Sequence, residues 1–157
     1  MGFPTMGQYH NFIEYNPVHK LVIFGGGNGS SDVYRIDGAG KITKMRNAPI
    51  ALGILKTIVA VDPVSGKYLV FTDDDRFYEY DVTSDTWARQ QRSFPSLHIS
   101  DGIQTVEAGI TNYGVNMFVK YDYTQATVWL YKHTGGGVQS PPGDVLAPDA
   151  PSNLRVQ

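Results

Sequence analysis

The sequence contains no cysteine, few charged residues and no long run of apolar residues. Without cysteine, the chain forms no disulfide, carries no thiol nucleophile and cannot bind zinc through sulfur. Charged residues make up 18% of the chain, the formal net charge is −2, and no basic stripe is present. We therefore expect no binding to nucleic acid. The longest apolar stretches, such as residues 58–61, span only a few positions, so we expect no insertion into a membrane.

What the sequence does contain favours strands. Ten Tyr and seven Phe occur in a chain that is 41% hydrophobic, and aromatic residues of this kind are enriched in β-sheets. The apolar content is sufficient for a packed core. No stretch shows a convincing helical period. We therefore predict an all-β fold.

One pattern occurs twice, about 45 residues apart, which is a spacing typical of repeat architectures. The first copy runs through Leu21–Gly27 and then Asp32–Asp37. The second copy runs through Lys67–Asp73 and then Arg76–Asp81, with Trp87 following. Such units cannot bury their own faces alone and stack on their neighbours.

Period-2 alternation and turn residues predict four strands in each of these units and three in a weaker third unit. In the first unit the strands are predicted near His10–Tyr15, Lys20–Gly25, Asp32–Asp37 and Ile42–Met45. In the second unit they are predicted near Lys56–Asp62, Lys67–Thr72, Arg76–Asp81 and Thr86–Gln90. In the third unit they are predicted near Thr105–Thr111, Val115–Lys120 and Thr127–His133, with no fourth strand.

Four antiparallel strands per repeat are typical of a β-propeller blade. We predict three blades, at approximately 8–52, 53–97 and 98–134, which together form a partial propeller over residues 1–134. Three blades are too few to close a ring. We therefore expect an incomplete ring that belongs to a larger protein.

The repeat resembles the kelch motif. The resemblance is carried by Phe24-Gly25-Gly26 with Tyr34-x-x-Asp37, and by Phe71, Tyr80-Asp81 and Trp87 in the second unit. It covers roughly residues 8–133, although the second unit has Thr72-Asp73 where the motif has two glycines. The third unit departs from the motif and resembles the closing blade of galactose-oxidase-like central propellers. The resemblance implies a propeller in a secreted multidomain protein, with close blade packing at the glycines.

Residues 135–157 have a different composition, rich in Gly, Pro, Ser and Asp. Gly135-Gly136-Gly137 and Pro141-Pro142-Gly143 predict a linker, because such runs do not continue strand pairing. The end, Pro151-Ser152-Asn153-Leu154-Arg155-Val156, resembles the first strand of a fibronectin type III domain, and a polar tail is the alternative interpretation. The resemblance implies an extracellular or cell-surface location.

Three polar residues occupy similar places near the first strand of each unit, namely His10, Lys56 and Glu107. The first strand of a blade lies nearest the central channel, and propellers usually bind ligands at the channel mouth. We therefore predict these residues as ligand-binding. Ordinary hydrogen-bonded or solvated side chains are the alternative.

Asp73-Asp74-Asp75 joins two predicted strands and could supply carboxylate oxygens to a divalent ion such as calcium. Asp73 and Asp75 are the candidate ligands, and a hairpin loop with solvated charges is the alternative. We expect no other cofactor. No Ser-His-Asp order or HExxH motif is present, and the copper-radical cofactor of galactose oxidase needs a cysteine that this chain lacks.

The leading hypothesis is a non-catalytic binding or scaffold module that engages a protein or a glycan. The first alternative is the structural part of a galactose-oxidase-like enzyme whose catalytic residues lie outside these residues. An intracellular kelch adaptor is a further alternative, and the fibronectin-like tail argues against it. Because three blades leave two faces open, we also expect self-association through those faces.

Overall fold

The computed structural model describes residue 4 and residues 6–54, 56–91, 99–100, 103–121 and 125–134. These residues form β-strands, together with one 3₁₀ turn at Thr111–Tyr113. The strands are β1 Asn11–Asn16, β2 Leu21–Gly26, β3 Val33–Ile36, β4 Ile42–Lys44, β5 Thr57–Val61, β6 Tyr68–Thr72, β7 Phe77–Asp81, β8 Thr86–Gln90, β9 Ile99–Ser100, β10 Ile103–Gln104, β11 Val106–Ile110, β12 Val115–Tyr121 and β13 Ala126–Tyr131.

The strands form three antiparallel sheets in which neighbours in sequence are neighbours in space. Sheet 1 has the order β1-β2-β3-β4, sheet 2 has β5-β6-β7-β8, and sheet 3 has β11-β12-β13. The short strands β9 and β10 pair with each other. None of the described sheets closes into a barrel. The predicted all-β fold is confirmed, and sheet 3 shows three strands among the described residues, as the sequence predicted.

The first strands of the three sheets lie side by side, since both β1 and β11 contact β5. The sheets therefore follow one another with their first strands adjoining, an arrangement that is compatible with successive propeller blades. Side chains on a strand point alternately to its two faces. One face of sheet 2 consequently packs on sheet 1 and the other packs on sheet 3.

The core between sheets 1 and 2 combines one aromatic and two aliphatic residues of sheet 1 with a tyrosine-rich face of sheet 2. Sheet 1 contributes the buried residues Phe12, Ile23 and Val33. Sheet 2 contributes Val61, Tyr68, Val70, Tyr78 and Tyr80. Burying these large side chains supplies most of the stabilisation between the two sheets.

The core between sheets 2 and 3 is built from phenylalanine rings. Phe71 and Phe77 stack with their ring centroids 4.7 Å apart. Phe118 of sheet 3 meets Phe71 edge to face at 5.4 Å, and Tyr131 does the same at 6.0 Å. Ile58, Ala60 and Leu69 complete this core from sheet 2.

Buried amides link the backbones of neighbouring sheets. Asn16 Nδ2 donates to the carbonyl of Gly66 at 2.7 Å, and Asn116 Nδ2 donates to the carbonyl of Val61 at 2.8 Å. Both asparagines are fully buried. Because an unpaired buried amide would be costly, these bonds fix how each sheet sits against the next.

At the end of β2, close backbone contacts explain why two positions are glycine. At Gly25, with φ +147°, an added Cβ would overlap the carbonyl of Asp32 on the other side of the turn. At Gly26, with φ +64°, it would overlap the carbonyl of Leu52, on the segment that leads to sheet 2. The close approach at Gly25 therefore lies within sheet 1, and the one at Gly26 is to the segment between sheets 1 and 2.

The predicted linker and fibronectin-like strand, residues 135–157, lie outside the described residues, and the proposed domain limits stay predictions. Within the part of the chain that the structure describes, no helix is long and apolar enough to cross a membrane.

Candidate ligand-binding site

A cavity of about 340 Å³ lies where the first strands of the three sheets meet. β1, β5 and β11 each contribute to its wall. Its apolar lining includes Ile13 from β1, Val59 from β5 and Val106 from β11. Its volume lies in the range of small-ligand pockets.

Two carboxyl groups line this cavity, one from each side of β5. Glu14 belongs to β1 and Glu107 to β11, and both are half-buried. Burial raises the pKa of Glu14 to about 7, and the charge of Glu107 adds to the effect. Burial also raises the pKa of Glu107 to about 7, against an opposing hydrogen bond from Asn116. The cavity therefore holds two carboxyls that exchange protons near neutral pH.

Further groups connect this pair to the protein interior. Asn116 Nδ2 lies 3.4 Å from Glu107 Oε2 while it also donates to sheet 2. Tyr68 is fully buried, and this burial is the main reason why the pKa of its phenol is raised. The charge of the nearby Glu14 carboxylate raises the pKa of Tyr68 further. Tyr68 therefore remains a neutral phenol while the two carboxyls titrate.

The structure divides the three sequence-predicted residues between two cavities. His10 and Lys56 line a smaller cavity of about 180 Å³, together with Asn28. His10 Nδ1 lies 3.3 Å from Asn28 Oδ1, and Lys56 is exposed. Glu107 lines the larger cavity, where Glu14 is its acidic neighbour.

The two cavities are neighbours at the beginning of the first strands. Consecutive residues separate them, since His10 lines the smaller cavity and Asn11 the larger, and the same is true of Gly53 and Ile54. A ligand large enough to reach both would meet carboxyls on one side and Lys56 on the other. The ligand-binding role of the three predicted residues stays a prediction.

Glu14 is the residue that sequence reasoning missed. It pairs with Ile23, as Ala60 pairs with Leu69 in sheet 2 and Ala108 with Met117 in sheet 3. Ile23 faces sheet 2 just as Leu69 faces sheet 3, so these pairs occupy equivalent positions. A carboxyl where the other repeats have alanine was the signal that could have identified it.

The candidate calcium ligands Asp73 and Asp75 lie in the exposed turn between β6 and β7. Between them, the carboxylate of Asp74 accepts from Arg76 Nε at 2.8 Å and from the Thr72 hydroxyl. Among the described residues, no group of three or more His, Asp or Glu side chains is arranged to hold a metal ion. The calcium site stays a prediction.

Comparisons with known proteins add no functional assignment. No protein-family model, no curated protein and no solved structure matches the chain. The geometry of the two neighbouring cavities is therefore the evidence on function.

Proposed function

We propose that this chain is the non-catalytic binding part of a kelch-type propeller and that it holds its ligand in the cavity between β1, β5 and β11. The observation that carries the proposal is the pair Glu14 and Glu107, placed on opposite sides of one open, otherwise largely apolar cavity. Burying two carboxyls costs free energy unless a partner satisfies them. A ligand with hydrogen-bond donors would provide that partner.

A glycan is the ligand class that this lining favours. Sugar hydroxyls donate to carboxylates and accept from carboxylic acids, so the pair offers either role near neutral pH. The C–H faces of a sugar ring would contact Ile13, Val59 and Val106. The fibronectin-like end of the sequence supports an extracellular or cell-surface setting, where glycans are abundant. A protein side chain with donor groups is the other ligand that fits this cavity.

The kelch assignment rests on three features that agree. The repeat carries the Gly25-Gly26 and Tyr34-x-x-Asp37 pattern. Each repeat forms an antiparallel meander, and the first strands of successive sheets adjoin. Sheet order alone is shared by many propellers, so the motif residues carry the finer assignment.

Glycan-array screening of the full chain, followed by titration calorimetry of any hit, tests the binding proposal. Glu14→Gln and Glu107→Gln should each weaken binding about tenfold or more, because a hydrogen bond to a charged group is lost. Asp37→Asn is the matched control, since Asp37 lies in an exposed turn and its hydrogen bonds are to that turn. Binding that neither cavity variant weakens would place the ligand elsewhere.

Acid–base catalysis is a second candidate, favoured by the same two carboxyls. Glycoside hydrolysis uses a pair of carboxyls, one of which is protonated near neutral pH. Incubating glycans bound by the chain and measuring released reducing ends would distinguish the two functions. Turnover that is lost in both Glu14→Gln and Glu107→Gln would favour the enzyme, and binding without turnover would favour the binding module. The galactose-oxidase-like alternative stays a prediction.

A further inference from the structure

The row of three sheets ends in two faces that none of these three sheets covers, and the short strand β10 contacts β12 at the second end. The first end face is the side of sheet 1 turned away from sheet 2, and strand alternation assigns to it Ile13, Tyr15, Val22, Phe24, Tyr34 and Ile36. The second end face is the side of sheet 3 turned away from sheet 2, and it carries Val106, Ala108, Met117, Val119, Val128 and Leu130. The named residues of both faces are apolar; beside them on the first end face lies Lys44, which pairs with Tyr34 and places its ammonium 4.7 Å from the centroid of that ring.

The first end face is equivalent in sequence position to the face of sheet 2 that sheet 1 covers. Ile13 pairs with Phe24, which pairs with Tyr34. The equivalent row in sheet 2 is Val59, Val70 and Tyr78, which sheet 1 covers. Val70 is 0% exposed and Tyr78 is 6% exposed, whereas their equivalents Phe24 and Tyr34 are partly exposed. Ile13, at the edge of the same row, is 73% exposed. Sheet 1 therefore has the apolar surface of sheet 2 without the neighbouring sheet that covers it.

The second end face is equivalent to the other face of sheet 2, the one that sheet 3 covers. Val106 pairs with Val119, which pairs with Val128. The equivalent row in sheet 2 is Ile58, Phe71 and Phe77, which sheet 3 covers. Those three residues are nearly inaccessible, whereas Val106, Val128 and Leu130 are 60%, 59% and 67% exposed. Exposed apolar patches of this kind mark contact sites.

The face of sheet 2 that packs on sheet 1 is equivalent to the first end face, and the face of sheet 2 that packs on sheet 3 is equivalent to the second end face. Each internal contact therefore joins one face of the first type to one face of the second type. Among the described residues, one face of each type remains uncovered, so the chain carries both halves of a further contact. A heterologous contact of this kind forms a closed ring when the rotation closes. Six sheets lie within the four to eight blades known for propellers.

We propose that two copies of this chain associate into a closed ring of six sheets, with the second end face of each copy covering the first end face of the other. A two-fold axis relates the copies, and the two contacts are identical. Ile13 and Val106 belong to the end faces and also line the cavity between β1, β5 and β11. The second copy would therefore enclose that cavity on its open side.

Sedimentation equilibrium of the full chain is the first test, and the expected mass is twice the 17.3 kDa of one chain. Tyr15→Asp places a charge in the first end face, and Leu130→Asp does so in the second. Each should weaken association about a hundredfold or more, because a charge would be buried without a partner. Tyr113→Asp is the control, since Tyr113 is 68% exposed and lies outside both end faces.

Mixing the two end-face variants tests the pairing of unlike faces. Each variant alone should be monomeric, because both contacts of its own ring would be damaged. In the mixture, the Tyr15→Asp copy has an intact second end face and the Leu130→Asp copy an intact first end face. One undamaged contact is then available, and the doubled mass should return. Tyr15→Ser and Leu130→Ser repeat the experiment without a charge, and circular dichroism checks that every variant is folded.

Four outcomes would overturn the proposal. A monomeric wild-type chain would mean that other sheets cover the end faces. Loss of the dimer in only one of the two variants would indicate that like faces pair. A mass that grows with concentration beyond the dimer would indicate an open chain of copies. A mixture of folded variants that stays monomeric would contradict the pairing of unlike faces.

Discussion

The free energy of unfolding of the wild-type chain should fall as the pH rises and Glu14 and Glu107 ionise. Replacing both residues by glutamine should abolish this fall. Both carboxyls line the same cavity, and burial raises the pKa of each to about 7. Glutamine has the size of a protonated glutamate and carries no charge. The variants therefore reproduce the low-pH state of the site at every pH.

The sign of the effect follows from which state holds the proton more tightly. The unfolded chain releases these protons near the ordinary pKa of 4.5, and the folded protein releases them near 7. The contribution of these groups to stability is therefore complete below pH 4.5 and is lost as the pH rises to 7. At about 1.4 kcal/mol per pH unit, this displacement is worth roughly 3 kcal/mol per carboxyl. Solvent in the open cavity reduces it to about 1–2 kcal/mol.

Urea denaturation at pH 5 and at pH 8 measures the effect. At pH 8 the double variant should be more stable than the wild type by about 2–3 kcal/mol, and at pH 5, just above the ordinary pKa, the difference should be about a quarter of that. The four histidines are shared by all variants, so their titration cancels in the comparison. Asp37→Asn, in an exposed turn, should follow the wild type at both pH values.

The two single variants test whether the carboxyls interact. Because the charge of Glu107 contributes to the high pKa of Glu14, Glu107→Gln should by itself lower the pKa of Glu14. The gains at pH 8 should therefore not add, and the sum of the single gains should exceed that of the double variant. Equal stability differences at pH 5 and pH 8 would refute the reasoning, since they would mean that both carboxyls titrate at ordinary values.

Three further predictions concern contacts that hold the sheets. Asn16→Leu should cost about 2–3 kcal/mol in urea denaturation, because it leaves buried backbone groups without partners. Gly25→Ala should give little soluble, folded protein, since Cβ would overlap the backbone at φ +147°; Gly38→Ala, with open space around it, should express like the wild type. Asp85→Ala should cost about 1–3 kcal/mol, because it removes the acceptor of the Tyr80 hydroxyl, and in a Tyr80→Phe background it should cost measurably less.

Most of the sheet structure could be predicted from the sequence because its signals are local. The predicted strand Thr86–Gln90 has the observed bounds, and Lys67–Thr72 differs from the observed Tyr68–Thr72 by one residue. Asn16-Pro17 and Asp62-Pro63 begin the turns between the first two strands of their sheets. The side chains of Asn16 and Asp62 accept hydrogen bonds from backbone N–H groups of those turns. Alternation and turn chemistry of this kind need no knowledge of distant residues.

The site was less predictable because it depends on how whole sheets approach each other. Glu107 was identified from its place in the repeat, whereas Glu14 differs from the alanines of the other two repeats, and that difference alone does not indicate a cavity shared with Glu107. Their meeting requires β1 and β11 to lie on opposite sides of β5, a contact between residues about 90 positions apart in sequence, and such long-range pairings leave no local signal. His10 and Lys56, by contrast, line a separate neighbouring cavity.

The two carboxyls are the feature of this chain that packing does not explain. Ala60, at the position equivalent to Glu14, is 0% exposed and shows that a small apolar side chain fits the fold there. Val59, at the position equivalent to Glu107, packs against the core. Placing carboxyls at these positions costs stability once they ionise, and the protein gains no ion pair with a described residue in return. A ligand that donates to both carboxylates would offset that cost, since binding stabilises the folded state alone. The same groups that weaken the fold near neutral pH are therefore those that ligand binding would stabilise.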